Sequence, residues 1–595
     1  MERSSILRWV LIGVAVFLLI QFGLPLITGE GKEGTSELQP LGPRDDSAPA
    51  AEDRKPDNKC KITGPRFAAE LSTRGASLRH VVMRDEKYSL EVDGQRAPID
   101  LVTTTLESRM PLRTDLRAPD GDQQVAYNDL DWEIVSQTPE SCTFSYRDDS
   151  VELHKEFRST KRPFEIELLV TVKNLAGEAK KHRLAVEQSE WRTQKEMAGS
   201  MGRVSEFMTE TTLRAGDETV RFEADDFEPE DFSEPDVTPE KWRRAPGPAQ
   251  WAAVSSSYFS KAVIHQEGPA VPHAESQIEE VWDAARIRDK TDDPNFGHVF
   301  RARLAYPVQE LEPEASAQYK LLAYTGPKER AVLSEVGGSG NDATELLDMG
   351  IFGAIGKILI GYLYVLYGFV GVWGWAICLL TITVKIVLFP LSISQIKSSM
   401  AMRRLKPQMD ELNKKYKDDP QQKGLALQEL WRKNNVTNPM LGCLPVLLQM
   451  PVWFALYQAL NTAVELYHTP FGPFMPDLAA PGQYYIIPIL LGASSFLQQK
   501  MMPMQGDPAQ QKMMLYLMPG IFMVFMLFLP AGLGVYFLTN TWLSILQQIA
   551  VEKFYKSRTS GGGGGDKEEK KDDAAADDKQ PRGLGRGKGR VQQRG

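Results

Sequence analysis

Hydrophobic residues recur along this chain in two rhythms. Trp9–Gly29 carries no charge and precedes a polar stretch, 30–58, rich in Gly, Pro, Ser and acidic residues. An uncharged run of that length can cross a bilayer core of ~30 Å. A secretory signal usually has an apolar region of only about 7–15 residues, so an uncleaved N-terminal anchor over 1–29 and a disordered linker over 30–58 are expected. From 60 to 336 the period is two. Phe164, Ile166, Leu168, Val170 and Val172 alternate with Glu165, Glu167, Thr171 and Lys173, and short runs at Cys142–Tyr146, Val151–Phe157 and Tyr319–Tyr324 resemble this one. That pattern predicts half-buried strands and a large all-β sandwich.

After a hinge-like Gly337–Asn341 the rhythm changes again. Residues 345–370 mix Leu, Ile, Phe and Tyr with Asp348 and Lys357, which predicts an amphipathic helix in the membrane interface. From Ile358 to Ile396 the only charge is Lys385, and Met513–Val551 is 39 residues without one. Spans are predicted near Val372–Leu391, Leu441–Leu460, Tyr484–Gln499, 513–529 and 532–551, which with the anchor makes six. Between the second and third lies a charged loop, 392–433, with ten Lys/Arg and five Asp/Glu. Residues 552–595 read as a disordered basic tail.

Mean hydropathy of −0.31 and net charge −9 describe neither half of the chain. Residues 28–343 hold 41 Lys/Arg against 59 Asp/Glu, a net of −18, while 344–595 hold 26 against 18, a net of +8. Such asymmetry excludes one uniform soluble fold. With both termini inside, the cytoplasmic segments carry 2, 10, 2 and 12 Lys/Arg and the two short exported turns carry none, as the positive-inside rule requires. The acidic run Glu223–Glu240 reads as a solvated loop. Four cysteines make no disulfide framework; Cys60 and Cys142 can pair in an oxidising compartment, but their distance is not readable from sequence. CxxC, HExxH, GxxxxGK[ST] and GxSxG motifs are absent, so neither metal nor cofactor is expected.

Lys385 is the residue most suggestive of chemistry. A charge inside a span costs ~2.5–3.5 kcal/mol on insertion scales, so it tends to face protein or water. Lying about six residues from the cytoplasmic end, roughly 9 Å, it can also snorkel. Thr381, at i−4, continues the polar face inward. Gln449 and Gln499 add polar groups in other spans, and Tyr536, Asn540 and Gln547 share a stripe of the last span. These are either interhelical hydrogen bonds or the lining of a hydrophilic groove. In the loop, Met402, Leu405, Met409, Leu412 and Tyr416 are spaced as a short coiled-coil seam. The helical hairpin that results packs on itself or presents a Met-rich surface to apolar chains.

Residues 370–551 resemble the membrane core of the YidC membrane-protein insertase family. The resemblance rests on Trp373-Gly-Trp375, Thr381-Ile-Thr-Val-Lys385, Phe389-Pro-Leu391, Asn438-Pro-Met-Leu-Gly-Cys-Leu-Pro445 to Gln449-Met-Pro451, and Phe454-Ala-Leu-Tyr457. Tyr484-Tyr-Ile-Ile-Pro488, Gln499-Lys-Met501 and Pro530-Ala-Gly-Leu533 to Gln547-Gln548 continue it. Gly75-Ala-Ser-Leu and Trp251–Phe259 resemble, more weakly, that family's periplasmic sandwich, itself similar to galactose mutarotases.

The resemblance implies an inner-membrane, multi-pass α-helical bundle with a five-span insertase core at 371–551, a cytoplasmic hairpin at 392–433 and a large periplasmic domain. It implies insertion of nascent membrane proteins, alone or with the Sec translocon, through a groove centred on the family's basic residue. That residue is usually arginine and here is Lys385, which keeps the charge and loses the bidentate fork. No bond is made or broken, so no enzyme is expected. Partners implied are nascent chains, the lipid bilayer, the translocon, the ribosome, and the signal recognition particle or its receptor. Arg582, Arg586, Lys588, Arg590 and Arg594, a basic end without acids, suit ribosomal RNA. A solute transporter and a carbohydrate-active exported domain are the other classes. The first lacks an inverted repeat, and the second lacks a histidine–glutamate motif among His80, His154, His182, His265, His273 and His298. The acidic domain, tethered by linkers, is expected to be dispensable for insertion itself.

Overall fold

Alternation of apolar and polar residues builds the N-terminal domain. In the computed structural model, residues 54–560 are described, except 93–94, 118–130, 199–204, 228–241, 284, 339–341, 348–352, 417–418, 435–443, 483–484 and 503–510. The anchor, most of the first linker and the tail beyond 560 therefore lie outside the described residues. Nine strands form one antiparallel sheet, in the spatial order Glu218–Phe222, Glu210–Ala215, Ala249–Ser255, Phe259–Glu267, Ser316–Pro327, Glu165–Asn174, Val151–Ser159, Ser141–Arg147 and Glu133–Gln137. A second sheet runs Arg243–Arg244, His273–Val281, Gly297–Ala305, Lys180–Thr193 and Gln309–Leu311, with Arg113–Arg117 also paired to Lys180–Thr193. The two sheets pack face to face, and Leu213, Val263, Phe300 and Leu321 on their facing sides are fully buried.

The strand read most clearly from sequence sits centrally. Leu168 pairs with Leu321 on one side and Phe157 on the other, and Phe164, Ile166, Leu168, Val170 and Val172 are all buried. Glu165, on its nominally polar face, is buried as well and accepts from the Gly337 N–H at 3.2 Å. Cys60 and Cys142 form a disulfide with Cα atoms 6.2 Å apart, joining the small sheet of Lys59–Thr63, Phe67–Ser72 and Ser77–Met83 to the nine-stranded one. Buried Lys155 donates to the carbonyls of Ala76 at 2.8 Å and Leu112 at 3.0 Å. Both acceptors have positive φ, 44° and 58°, so one ammonium pins two left-handed turns.

The second sheet has a charged interior that alternation does not reveal. Arg301 lies 2.7 Å from both Glu187 and Glu279, and Arg303 lies 2.7 Å from Glu275 with its guanidinium 3.7 Å from the Trp242 ring centroid. Lys261 and Arg192 share Glu190 at 3.0 and 2.6 Å. Each of these ions of the second sheet has an opposite partner, which offsets much of its desolvation cost.

The rest is helical. After the short helices α1 (Gln194–Met197) and α2 (Arg330–Leu333) come α3 (Gly353–Val370), α4 (Trp373–Val387), α5 (Phe389–Lys415), α6 (Pro420–Lys433), α7 (Leu444–Thr462), α8 (Ile486–Met501), α9 (Met518–Phe525) and α10 (Ala531–Ser560). Among the described residues no helix is long and apolar enough to cross a membrane. The causes are local. Pro390 enters α5 at its first turn, which separates it from α4 and leaves α4 with 15 residues, about 22 Å. A π-turn at Met513–Leu517 and Pro519 likewise leave α9 with 8. α3 carries an exposed apolar stripe of Ile358, Tyr362, Val365 and Phe369, while Ile360 and Leu363 are buried.

Contacts divide the chain into two compact units. Among the described residues, the first holds those through Thr381 with those of Leu448–Ala493 and Tyr516–Leu538, and the second those of Ile382–Leu447, Ser494–Leu515 and Thr539–Ser560. Within the first, the β-domain is docked rather than merely tethered. Tyr467, just past α7, is 3% exposed, with ring centroids of Tyr258 at 5.2 Å, Phe259 at 6.3 Å and Tyr88 at 6.4 Å. Glu465 accepts from the Arg330 N–H at 3.0 Å, and its carbonyl accepts from Lys87 Nζ at 2.9 Å. The segment after 341 is also held, by Arg214–Asp342 at 3.1 Å and Lys357–Glu345 at 2.7 Å. A freely placed domain on passive linkers does not describe this arrangement.

Candidate functional site

Helix α4 begins on an aromatic platform. Trp373 stacks on Tyr367 with centroids 4.1 Å apart and meets Tyr364 edge-on at 5.2 Å. Ala376, Ile377 and Leu380 then bury one side of the helix. Thr381, 1% exposed, donates its hydroxyl to the Ile377 carbonyl at 2.7 Å, the usual i−4 back-bond, which leaves its oxygen free to accept. One turn on, Lys385 is 8% exposed and donates to Ser544 Oγ of α10 at 2.8 Å. Ser544 donates in turn to the Asn540 carbonyl at 2.8 Å. Among the described residues no carboxylate lies within ion-pair distance of Lys385, so its charge is buried without being neutralised.

The other residues expected from sequence are placed as follows. Tyr536 is buried in the first unit, where Gly534 beside it allows close approach to Ile487: a Cβ there would lie 2.6 Å from that side chain. Asn540 enters the Lys385 chain through its backbone carbonyl. Gln499 is half-buried in the second unit, and the Gln449 side chain lies outside the described residues. Sequence reasoning missed Ser544, although it continues the Tyr536–Asn540 stripe at i+4 and the same 100° count reaches it. It also favoured Gln547, whereas Gln548 is the buried one, donating to the Met501 carbonyl at 2.9 Å and to Glu552 at 3.2 Å.

The hairpin is formed by α5 and α6. Met402, Leu405 and Met409 are each 8% exposed and pack with Leu427, Leu430 and Trp431, so the seam closes on its own return helix. Leu412 and Tyr416 are half-buried at its far end. Asp419 caps α6, accepting from the N–H groups of Gln421 at 3.1 Å and Gln422 at 3.0 Å. Arg403 pairs with Glu552 at 3.0 Å, and Lys397 sits 5.1 Å above the Tyr555 ring, fixing α5 to the end of α10. The five basic residues of the tail lie outside the described residues. In the β-domain the histidines are dispersed: His182 bonds Tyr319 at 2.8 Å and His265 bonds Tyr306 at 3.0 Å. Burial lowers the His182 pKa to about 4.

Residues 365–558 match the family described as 60Kd inner membrane protein, and residues 59–362 match the YidC periplasmic domain. The membrane protein insertase YidC of Anaeromyxobacter dehalogenans strain 2CP-C is 35% identical over 515 residues, 84% of this chain and 86% of that one. The chain belongs to the YidC membrane-protein insertase family. This insertase is also 31% identical to the YidC of Nitratidesulfovibrio vulgaris strain DP4, over 82% of its own length and 85% of that relative's. A crystal structure described as an active YidC insertase with the first transmembrane domain resolved aligns with 92% of the chain and 99% of its own, at 16% identity and TM-score 0.36. A galactose mutarotase related enzyme from Lactobacillus acidophilus aligns with 45% of this chain and 97% of its own, at 11% identity and TM-score 0.29. The insertase is thus an inner-membrane protein with a periplasmic β-domain, and its substrates are nascent membrane proteins.

Proposed function

We propose that this insertase receives the short polar flank of a nascent membrane segment at Lys385, in a hydrophilic groove lined also by Thr381, Gln449, Gln499, Tyr536 and Asn540. The apolar helix of the client then leaves along the third and fifth spans into lipid. The observation that carries this reading is the Lys385 ammonium, buried, bonded to one hydroxyl and lacking a carboxylate partner among the described residues. Burial of the client's apolar surface, ~25 cal/mol per Å², drives the reaction. The protein's part is to lower the barrier for the flank, which otherwise crosses hydrocarbon unsolvated.

Six spans with both termini in the cytoplasm are part of the same proposal. The chain passes between its two compact units at 381/382, 447/448, 493/494, 515/516 and 538/539, and each passage falls inside one of the five core spans read from sequence. The docking of Tyr467 on the β-domain supports a common exported side for both. We also propose that the hairpin faces the cytoplasm, where the ribosome, the signal recognition particle or its receptor, and the Sec translocon deliver clients. Arg582, Arg586, Lys588, Arg590 and Arg594 would contact RNA phosphates there.

The test is proximity during integration. In a Cys378→Ser, Cys443→Ser background, Thr381→Cys should crosslink to a cysteine in the client's polar flank. Ile386→Cys, at a position 67% exposed, should not. Equal crosslinking from both positions would remove the groove from the reading.

A further inference from the structure

We propose that Ser544 is a positioning residue for Lys385, and that the pair, rather than the lysine alone, sets how well clients with acidic exported flanks are accepted. The inference deepens the reading of Lys385 given above and rests on it. A lysine side chain has four rotatable bonds and a compact charge, so an untethered ammonium samples many positions. Here Lys385 Nζ lies 2.8 Å from Ser544 Oγ. The hydroxyl is itself oriented, because it donates to the Asn540 carbonyl at 2.8 Å and so turns its lone pairs outward. The polarity of the chain is consistent along its length: ammonium to hydroxyl, hydroxyl to carbonyl. Both side chains belong to the second compact unit.

Ser544 spends one of the three N–H donors of the ammonium and adds no negative charge. The remaining donors keep full charge for an incoming carboxylate. An aspartate or glutamate at position 544 would neutralise the lysine, and an alanine would leave it untethered; a short neutral acceptor such as serine or threonine both holds it and leaves it charged.

The experiment uses the full-length chain in liposomes of phosphatidylethanolamine and phosphatidylglycerol. Two versions of one single-span client carry either two aspartates or two asparagines in the exported flank, and integration is followed by protease protection. Ser544→Ala should slow the aspartate client roughly threefold to tenfold, the range of one net hydrogen bond, and leave the asparagine client unchanged. Ser544→Thr should restore the rate, and Ser544→Ala should add nothing in a Lys385→Ala background. Equal slowing of both clients, or an undiminished effect of Ser544→Ala without the lysine, would overturn the inference. If Lys385→Ala slows the aspartate client and Ser544→Ala does not, this inference fails while the reading of Lys385 stands. If Lys385→Ala leaves the rate unchanged, both fail.

Discussion

Tyr467→Ala should release the segment after α7 from the β-domain. The ring is 3% exposed, stacks on His468 at 4.1 Å and has Tyr258, Phe259 and Tyr88 between 5.2 and 6.4 Å away. Truncating so buried an aromatic costs about 3–5 kcal/mol, including the aromatic pairs, each about 0.5–1.5 kcal/mol. If that cost falls on docking rather than on folding, the opening equilibrium of residues 463–480 rises by roughly two to four orders of magnitude. Hydrogen exchange in the full-length protein reads this directly, as lost protection in 463–480 and in strand Ser89–Val92, whose Ser89 carbonyl faces the Tyr467 hydroxyl at 3.5 Å. Tyr467→Phe keeps the ring and should change protection less than about tenfold. Unchanged exchange in Tyr467→Ala would refute the docking argument and return the β-domain to the freely tethered role expected from sequence.

Replacing Cys60 and Cys142 together by serine should destabilise the β-domain. A bridge closing 82 residues is worth about 4.5 kcal/mol in the chain-entropy treatment. A shift of under about 1 kcal/mol in a urea and proteolysis titration would contradict this, and reductant should mimic the replacement in the wild type only. Burial holds the Glu465 carboxyl above its ordinary value of 4.5, outweighing the Arg330 N–H and the nearby Lys87. The folded state therefore binds the extra proton, and the stability from this group falls as pH rises from about 4.5 through the raised folded value. Glu465→Gln should flatten that slope, and an unaltered pH profile would show the slope to arise elsewhere.

Period-two alternation was enough to find the central strand at 164–173 and to assign its apolar face, because that face packs on the opposite sheet. It failed where both faces of a strand are covered. Glu187, Gln188, Ser189 and Glu190 look solvent-facing in sequence, yet all are buried: Arg301 and Lys261 from distant segments, with neighbouring Arg192, pair with Glu187 and Glu190, and Gln188 and Ser189 donate to the carbonyls of Ala262 and Arg109. The Cys60–Cys142 pairing was unreadable for the same reason: it spans 82 residues, and register alone sets its Cα separation. In the helical part, the isolation of Lys385 within an uncharged run marked it without help. Ser544 escaped notice because a serine in an apolar helix is unremarkable until a lysine from another helix reaches it. The seam at Met402, Leu405 and Met409 was legible from its 3–4 spacing, but whether it closes on α6 depends on the return helix, and it does.

The central claim is that a local positive charge at position 385 lowers the barrier for a polar flank. Its most direct test is the integration rate of the aspartate-flank client with Lys385→Arg, Lys385→Ala and Lys385→Glu in reconstituted liposomes. Arginine keeps the charge and should stay within about twofold of wild type. Alanine removes a charged hydrogen-bond donor, worth about 1.5–3 kcal/mol, and should slow integration by about tenfold or more, with glutamate slower still. Integration at the wild-type rate with alanine or glutamate at this position would contradict the account.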